Sequence, residues 1–216
     1  MGFLVAVPLA GEAAVISDIH LRAMGANLLT HAQFPGQADR DFFHGWLTRN
    51  TLQHVRDADK GVLVARDAAS GRVASFVKWL VHEPGGGESA ASNLESFSDV
   101  CGTEVRRSYG ELTEKVREGA MGTSAYYHVT FLCTDTHWGG RGAATALLRR
   151  VQELAAEDGL GIILEATMEG VPLYCKMGFR VHQDLRMMLP SHGSTQLLEP
   201  YEERCMVWTP PVLSTR

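Results

Sequence analysis

The sequence predicts a single α/β (α+β) domain with a mixed, mostly antiparallel, seven-stranded sheet flanked by helices. Short apolar runs of strand length alternate with amphipathic segments of helical period along the chain. Two pairs of runs have no helical pattern between their members and therefore predict antiparallel neighbours. The chain has 216 residues, of which 45% are hydrophobic, so it can bury one core. No repeat or linker divides residues 1–216, which we interpret as one domain.

The first half predicts a strand, two helices and a hairpin. The apolar start "MGFLVAVPLAG" is a strand, and the apolar positions of residues 12–26 predict a helix. Residues 27–36 are a loop, after which Asp39 caps a second helix that reaches about Asp57. Two Val-rich runs on either side of residues 67–71 predict the hairpin.

A Gly/Ser-rich loop over Pro84–Asn93 and a helix over Ser98–Ala120 come next. The composition of the loop predicts flexibility. In the helix, apolar side chains recur every three or four residues and form one stripe: Cys101, Val105, Tyr109, Leu112 and Val116. We interpret residues 84–120 as an insertion into the domain, with the helix as a tethered lid.

The second half predicts a strand, a glycine-rich turn, a long helix and three more strands. "YYHVTFLCT" is a strand over Tyr126–Thr134, and the helix after the glycines ends near Glu157, before Gly159. "IILEA" (Ile162–Ala166) is a buried strand, and "VPLYCKMG" is a short helix with Pro172 in its first turn. "FRVHQDLRMML" and "RCMVW" are the final antiparallel pair.

Composition and charge exclude several classes of function. The formal net charge is −5 and no run of five Lys or Arg occurs, so no nucleic-acid partner is expected. No stretch approaches the roughly 20 apolar residues of a membrane helix, and the amino terminus lacks a basic leader, so neither membrane nor export is expected. Four separated cysteines without ligand spacing favour a cytoplasmic protein with reduced thiols and no metal. A homodimer is left open.

The segment "CTDTHWGGRGAATALL" (Cys133–Leu148) joins a strand to a helix through a glycine-rich loop. The N-terminus of a helix carries unpaired N–H groups and the positive end of the helix dipole. Glycines let a ligand approach the backbone closely, and Arg141 adds a fixed positive charge. This order of elements therefore predicts an anion site, most often used for phosphate.

Two other phosphate-binding patterns fit this loop poorly. A P-loop requires Gly-Lys-Ser/Thr, and no lysine follows these glycines. A dinucleotide-binding fingerprint matches Gly140-Arg-Gly142-Ala-Ala-Thr145 except at its third glycine, with Glu165 at the end of the next strand. The loop from Asp135 is too long for the tight turn of that fold, and too few residues follow Glu165 for its remaining β-α units.

The segment resembles motif A of the GCN5-related N-acetyltransferases (GNAT), in which a strand is followed by Q/R-x-x-G-x-G/A and a helix. Gly139–Ala144 fills this pattern, with Gly139 in place of the first Gln or Arg. "EATMEGVPLYCKMGF" (Glu165–Phe179) resembles motif B, which ends LYxKxGF. The resemblance covers Tyr126–Leu189, whereas the first half agrees in element order only. It implies the GNAT fold, with two neighbouring strands splayed apart at the acetyl-CoA site.

The resemblance implies an acetyl-CoA-dependent N-acetyltransferase that acts on a primary amine by direct transfer through a tetrahedral intermediate. The glycine loop would hold the pyrophosphate, and the strand before it the pantetheine arm. The residues implied in cofactor binding are Leu132, Cys133, Thr134, Gly139, Gly140, Arg141, Gly142, Ala143, Ala144 and Thr145. A small-molecule amine acceptor is expected. A protein or peptide acceptor, and a non-catalytic acyl-CoA-binding regulatory module on the same fold, are the alternatives.

Amine acetylation requires a base for the ammonium, a donor for the oxyanion and an acid for the departing thiolate. The resemblance assigns the acid to Tyr174 in "LYCK". Strand alternation puts His128, Thr130 and Leu132 on one face, and the imidazole of His128 suits a base. Glu165, at the end of the neighbouring strand, is the alternative base, and water without a dedicated base is a third hypothesis.

The first two helices and their loop wall the acceptor site in this family. Phe34 and Trp79 are the candidates for lining that site, Phe34 as the aromatic residue most expected to be exposed and Trp79 as one that could face the same cleft; core packing is the favoured role for each. Cys133 is expected on the strand face opposite His128 and is not expected to be a nucleophile. Three further polar residues are interpreted as loop or surface positions: His82, Asp135 and His137.

Overall fold

The structure is a computed structural model that describes residues 2–85, 102–192, 194 and 198–211. The strands in these residues are β1 Phe3–Ala6, β2 Lys60–Asp67, β3 Val73–His82, β4 Tyr126–Thr134, β5 Gly161–Thr167, β6 Arg180–Pro190 and β7 Leu198–Trp208. They form one seven-stranded sheet in the order β1-β2-β3-β4-β5-β7-β6. Only β4 and β5 are parallel neighbours. The predicted mixed, mostly antiparallel sheet is confirmed.

Helices cover both faces of this sheet. They are α1 Ala13–Ala23, α2 Leu28–Gln33, α3 Gln37–Arg56, α4 Thr103–Met121, α5 Ala143–Glu157 and α6 Val171–Lys176. Alternation along β2 divides the core, because Val64 clusters with Ile16 of α1 and Leu63 clusters with Leu147 of α5. On the α1 side, Val116 brings α4 into a cluster further along the sheet. No helix in the described residues is long and apolar enough to span a membrane.

Two element boundaries differ from the sequence prediction. The segment predicted as a loop contains α2, which begins where the Asn27 side chain accepts a hydrogen bond from the backbone N–H of Thr30 at 2.9 Å. Helix α3 begins before Asp39, whose carboxylate instead accepts from the backbone N–H of Gly36 at 2.8 Å. The predicted Gly/Ser loop from residue 86 onward, and the predicted helix before Gly102, lie outside the described residues.

Strands β4 and β5 part after a short stretch of pairing. They pair only from Tyr126 with Gly161 to Val129 with Leu164. Beyond this point β4 continues along β3 and β5 continues along β7. The opening between the two parallel strands confirms the predicted splay.

A β-bulge at Thr130 changes which side chains of β4 share a face. Lys78 of β3 pairs with Phe131 and the next residue, Trp79, pairs with Val129, so no residue of β3 lies opposite Thr130 in the strand register. An extra residue of this kind reverses the side-chain alternation beyond it. The prediction that His128, Thr130 and Leu132 share one face is therefore wrong.

The bulge also moves Cys133 to the side of His128, contrary to expectation. His128 pairs with Leu80, which lies two residues from Lys78 and hence on the same face of β3. Cys133 belongs to the core cluster beneath α1 on this face. Leu132 instead packs against the cluster beneath α5.

Candidate functional site

The glycine-rich loop follows β4 through a short 3₁₀ turn over Thr136–Trp138. Gly140 and Gly142 then adopt φ angles of 70° and 90°, a left-handed conformation that costs energy for any residue with a side chain. Gly139 has φ −56° and ψ 145°, which any residue can adopt. The departure of Gly139 from the GNAT motif therefore leaves the backbone path of the loop unchanged.

Asp135 anchors the beginning of this loop to helix α1. Its carboxylate accepts from the backbone N–H of His137 at 3.0 Å, and from Nε and Nη2 of Arg22 at 3.1 and 2.7 Å. Burial raises the pKa of this carboxyl, but the bonds from His137 and Arg22 outweigh burial and lower the pKa to about 2. Asp135 therefore lies in the loop, as predicted, but it is only 8% exposed and is not a surface residue.

Helix α5 begins directly after the loop with an open N-terminus. Its N-cap, Gly142, provides no side-chain hydrogen bond, and its first turn contains no acidic residue. The first-turn amides, from Ala143 to Thr145, are therefore directed toward the loop as anion donors. The exposed Arg141 stacks over Trp138, with its guanidinium carbon 5.2 Å from the ring centre. These donors and this charge fit a pyrophosphate.

The end of β4 offers a backbone edge beside the loop. On one side, Leu132–Thr134 pair with β3, and the Ser75 hydroxyl donates to the carbonyl of Cys133 at 2.7 Å. On the side of β5, these residues have no strand partner in the described part of the chain. An extended amide chain such as pantetheine fits an edge of this kind, because the free N–H and C=O groups need partners.

Three polar side chains meet where β4 and β5 part. His128 Nε2 lies 2.9 Å from Glu165 Oε2, and Arg117 Nη1 of α4 donates to Glu165 Oε1 at 2.7 Å. All three side chains are 10–12% exposed. His128 and Glu165, which the sequence presents as alternative bases, are thus direct partners.

The protonation of this group follows from its contacts. Burial raises the pKa of Glu165, but His128 and Arg117 outweigh burial and lower the pKa to about 2. Glu165 is therefore ionised at neutral pH, and because a carboxylate can only accept a hydrogen bond, Nε2 of His128 is the donor in this contact. Nδ1 is then the nitrogen of His128 that is left to exchange a proton.

A second buried carboxylate lies on β7, on the same side of the sheet. Glu203 accepts from the hydroxyls of Tyr109 and Tyr201, each at 2.6 Å. Asn27, which precedes α2, donates to the Tyr201 hydroxyl at 3.1 Å. Burial raises the pKa of Glu203 and of both tyrosines. Helices α2 and α4 thus meet β7 through polar contacts.

Tyr174 of α6 belongs to the core cluster beneath α5, together with Val129 of β4 and Ala166 of β5. Its ring packs edge-on against Phe179 at 5.6 Å, and the residue is 8% exposed. Burial is the main cause that raises the pKa of its hydroxyl, and the nearby Glu203 raises it further. The hydroxyl therefore stays protonated at neutral pH, and no hydrogen bond from another described residue contributes to this shift. Tyr174 can donate a proton to a group bound between the strands.

The two residues predicted to line the acceptor site lie in the core. Phe34 is 3% exposed and stacks on Phe43 at 4.0 Å, so its predicted exposure is wrong. Trp79 is 7% exposed and lies in the cluster beneath α5, stacked on Tyr127. A Cβ at Gly61 would sit 2.0 Å from the Trp79 ring. The prediction that Trp79 faces the acceptor cleft is therefore corrected to a packing role.

A basic cluster is buried beneath α1 and α3. Lys78 is fully buried, and its Nζ donates to Asn50 Oδ1 at 3.0 Å. Burial lowers the pKa of Lys78 to about 7. Nearby, Cys133 Sγ lies 3.8 Å from His20 Nδ1. Burial raises the pKa of the Cys133 thiol to about 12, so the thiol stays protonated at neutral pH.

Sequence reasoning missed Arg117 and Glu203. A signal for Arg117 exists, because Arg106, Thr113 and Arg117 recur at helical spacing beside the apolar stripe of α4. Charged residues on such a stripe indicate buried polar contacts. No comparable pattern marks Glu203. Among the described residues, no group of His, Cys, Asp or Glu side chains could hold a metal ion.

Comparison with known proteins agrees with this geometry. The model of a family described as "Acetyltransferase (GNAT) domain" matches residues 111–188. No curated protein is similar enough in sequence to count as a relative. Arylalkylamine N-acetyltransferase 2 of Aedes aegypti has a similar structure, with a TM-score of 0.72 and 16% identity over 97% of this chain and 99% of that one.

Two further solved structures share the fold. The polyamine N-acetyltransferase of Drosophila melanogaster, which forms N-acetylagmatine, has a TM-score of 0.67 and 16% identity over 96% of this chain and 99% of that one. The PaiA N-acetyltransferase of Thermoplasma acidophilum, in complex with coenzyme A, has a TM-score of 0.57 and 11% identity over 97% and 99%. The match of residues 111–188 to the GNAT domain model and the shared fold therefore make this chain similar to the GCN5-related N-acetyltransferases.

Proposed function

We propose that this protein transfers an acetyl group from acetyl-CoA to the primary amine of a small molecule. The observation that carries the proposal is the contact of His128 with Glu165 at the point where β4 and β5 part. Tyr174, which stays protonated, is near the same opening. A base for the amine and an acid for the thiolate would therefore border one site.

The donor site would consist of the glycine loop and the open edge of β4. The first-turn amides of α5 and the guanidinium of Arg141 would hold the pyrophosphate. The backbone of Leu132–Thr134 would pair with the pantetheine arm. The coenzyme A complex of a protein with the same fold supports this donor.

His128 would remove the proton that keeps the acceptor unreactive. A protonated alkylamine has a pKa near 10.4, so at neutral pH it must lose a proton before it can attack the thioester. Nδ1 of His128 would take this proton, while Glu165 holds Nε2–H and stabilises the imidazolium that forms. The ionised state of Glu165 suits this role.

The remaining charges of the reaction would be handled by β4 and α6. As the new C–N bond forms, backbone N–H groups of Leu132–Thr134 would donate to the oxyanion that develops on the acetyl oxygen. As the C–S bond breaks, the Tyr174 hydroxyl would give its proton to the departing thiolate of coenzyme A. The acceptor nitrogen thus loses two protons, one to His128 before attack and a second to water after the C–N bond has formed. Tyr174 gives one proton to the thiolate and regains one from water, so one proton is released overall.

A small acceptor is favoured by the position of α4. Arg106 near the start of α4 donates to the carbonyl of Gln33 at the end of α2, at 3.0 Å. A Cβ at Gly102 would lie 2.5 Å from the same carbonyl oxygen. In the described residues the two helices are therefore in close contact, which disfavours an open groove for a polypeptide. The arylalkylamine and polyamine acetyltransferases of similar structure also support a small amine.

The direct test measures thiol release from acetyl-CoA with 2-phenylethylamine and agmatine as acceptors. We expect turnover by the wild-type protein and a loss of about 100-fold in kcat for His128→Gln, with acetyl-CoA affinity unchanged. His182→Gln, at an exposed position of β6, is the matched control and should behave as wild type. Binding of acetyl-CoA by the wild type without thiol release for any amine would indicate a non-catalytic acyl-CoA module instead.

A further inference from the structure

Helix α4 is fastened to the rest of the domain by polar contacts along its length. Arg106 bonds the end of α2, Tyr109 donates to Glu203 of β7, and Arg117 donates to Glu165 of β5. These contacts favour a fixed wall of the site over the lid predicted from the sequence. Among them, the contact of Arg117 reaches the proposed catalytic histidine through a single carboxylate.

Glu165 is held at both of its oxygens. Oε1 accepts from Arg117 at 2.7 Å, and Oε2 lies 2.9 Å from Nε2 of His128. A carboxylate fixed at both oxygens cannot rotate about its Cγ–Cδ bond without breaking a charged hydrogen bond. Arg117 does not hydrogen-bond to His128 directly. It therefore influences the orientation of the His128 ring by holding the carboxylate of Glu165.

We propose that Arg117 is a positioning residue that acts through Glu165 to orient His128 and to keep its imidazole free of a proton at neutral pH. This inference rests on the proposed acetyl transfer. It assigns to α4, which the sequence presents as an insertion, a part in the chemistry of the site.

The effect on protonation follows from the charges. With Arg117 present, the guanidinium and the carboxylate cancel, and a proton on His128 gives the group a net charge of +1. Without Arg117, the ionised Glu165 is uncompensated, and a proton on His128 brings the net charge to zero. A buried group binds a proton more readily in the second case. Arg117 therefore extends the range of pH in which the base is free.

Other titratable groups that face the pair come from four elements. They are His82 of β3, Tyr126 of β4, Glu203 and Cys205 of β7, and Tyr109 of α4. The ring of His82 lies 5.8 Å from that of His128, and burial lowers the pKa of His82 to about 4. Burial raises the pKa of Tyr109, Tyr126 and Cys205. None of these described groups therefore carries a positive charge at neutral pH, and Arg117 supplies the positive charge beside Glu165.

The test compares Arg117→Gln and Arg117→Lys with a matched control, Arg107→Gln. Arg107 lies on the exposed side of α4, where it pairs with Glu104 and Glu111. The measurement is the pH profile of kcat/KM for thiol release with 2-phenylethylamine. For Arg117→Gln we expect the acid limb to move to higher pH by about one unit, with about a tenfold loss at pH 7 that shrinks as the pH rises.

The conservative variant separates positioning from folding. Arg117→Lys keeps the positive charge, so its acid limb should stay near the wild-type position even if kcat falls. Arg107→Gln should match the wild type throughout. A profile for Arg117→Gln that is lower at every pH but unchanged in position would overturn the proposal, because it would indicate structural damage alone.

A second readout does not depend on turnover. In NMR titrations of the histidine rings, the signals of His128 should titrate at higher pH in Arg117→Gln than in the wild type. If the wild type acetylates no amine, the proposed function fails, and the NMR comparison still tests the link from Arg117 to His128. Identical titrations in the two proteins would refute that link.

Discussion

Gly142→Ala tests whether the conformation of the glycine loop serves acetyl-CoA binding. Gly142 has φ 90°, and no heavy atom lies within 4 Å of a Cβ built there. The substitution therefore meets no steric obstacle, and its cost comes from the left-handed backbone alone, about 1–2 kcal/mol. Gly139→Ala is the matched control, since its φ of −56° suits any residue and its Cβ would lie 3.7 Å from the nearest atom.

The loop should relieve this strain in the free protein, because Arg141 and Gly142 are exposed. Acetyl-CoA would then bind only after the loop returned to its left-handed conformation, and binding would bear the cost of about 1–2 kcal/mol. That cost corresponds to an increase in Kd of about 5- to 30-fold. The free energy of unfolding should change by less than about 1 kcal/mol, since the strain is avoided when no ligand is bound.

Calorimetric titration with acetyl-CoA and urea unfolding measure the two quantities. Gly139→Ala should leave both at wild-type values. The reasoning would be refuted if Gly142→Ala bound acetyl-CoA as tightly as the wild type. Equal weakening by both variants would also refute it, because the effect would then come from added side chains and not from backbone conformation.

Two further predictions concern Tyr174 and Lys78. Tyr174→Phe should lower kcat for thiol release by about 10- to 100-fold with an unchanged Kd for acetyl-CoA; a weaker Kd with unchanged kcat would indicate a packing role. Burial lowers the pKa of Lys78 from 10.5 to about 7, so between these values the unfolded chain binds more protons and wild-type stability should rise with pH. Lys78→Met should remove this slope and gain about 2 kcal/mol at pH 7 in urea unfolding; an unchanged slope would contradict the burial of a neutral amine.

Most elements of the fold could be predicted because each carries a local pattern. The stripe of α4 and the hairpin of β2 and β3 have the period of their secondary structure. Helix α2 was missed, since its six residues are too few to show a period, although Asn27 is a recognisable N-cap. The order of β5, β7 and β6 in the sheet depends on contacts between distant segments, which no local pattern shows.

In the candidate site, too, residues in local motifs could be predicted, whereas residues placed by contacts between distant segments could not. Gly140, Gly142 and Tyr174 belong to short motifs, and the two glycines serve the conformation of their own backbone. Phe34 was a candidate for exposure, but it stacks on Phe43, and the guanidinium of Arg106 from α4 lies 5.5 Å from its ring centre. The sequence cannot show where α4 docks, so neither this contact of Arg106 nor the contact of Arg117 with Glu165 could be predicted.

The bulge of β4 was beyond prediction for a different reason. "YYHVTFLCT" has no glycine or proline that would mark an interruption, and every residue in it suits a regular strand. The bulge is visible only in the pairing with β3, where the neighbours Lys78 and Trp79 pair with Phe131 and Val129 and skip Thr130. A bulge of this kind is therefore a property of the sheet and not of the segment.

The bulge also bears on the route of acetyl transfer, because it brings the Cys133 thiol to the side of His128. That placement alone would favour a covalent acetyl-cysteine. The surroundings of the thiol argue otherwise, since Cys133 is 5% exposed and burial raises its pKa to about 12. At pH 7 only about one thiol in 10⁵ would be ionised. The nearest histidine, His20, cannot supply a cation to stabilise a thiolate, because burial lowers its pKa to about 3. These surroundings therefore disfavour a covalent acetyl-cysteine in the proposed transfer.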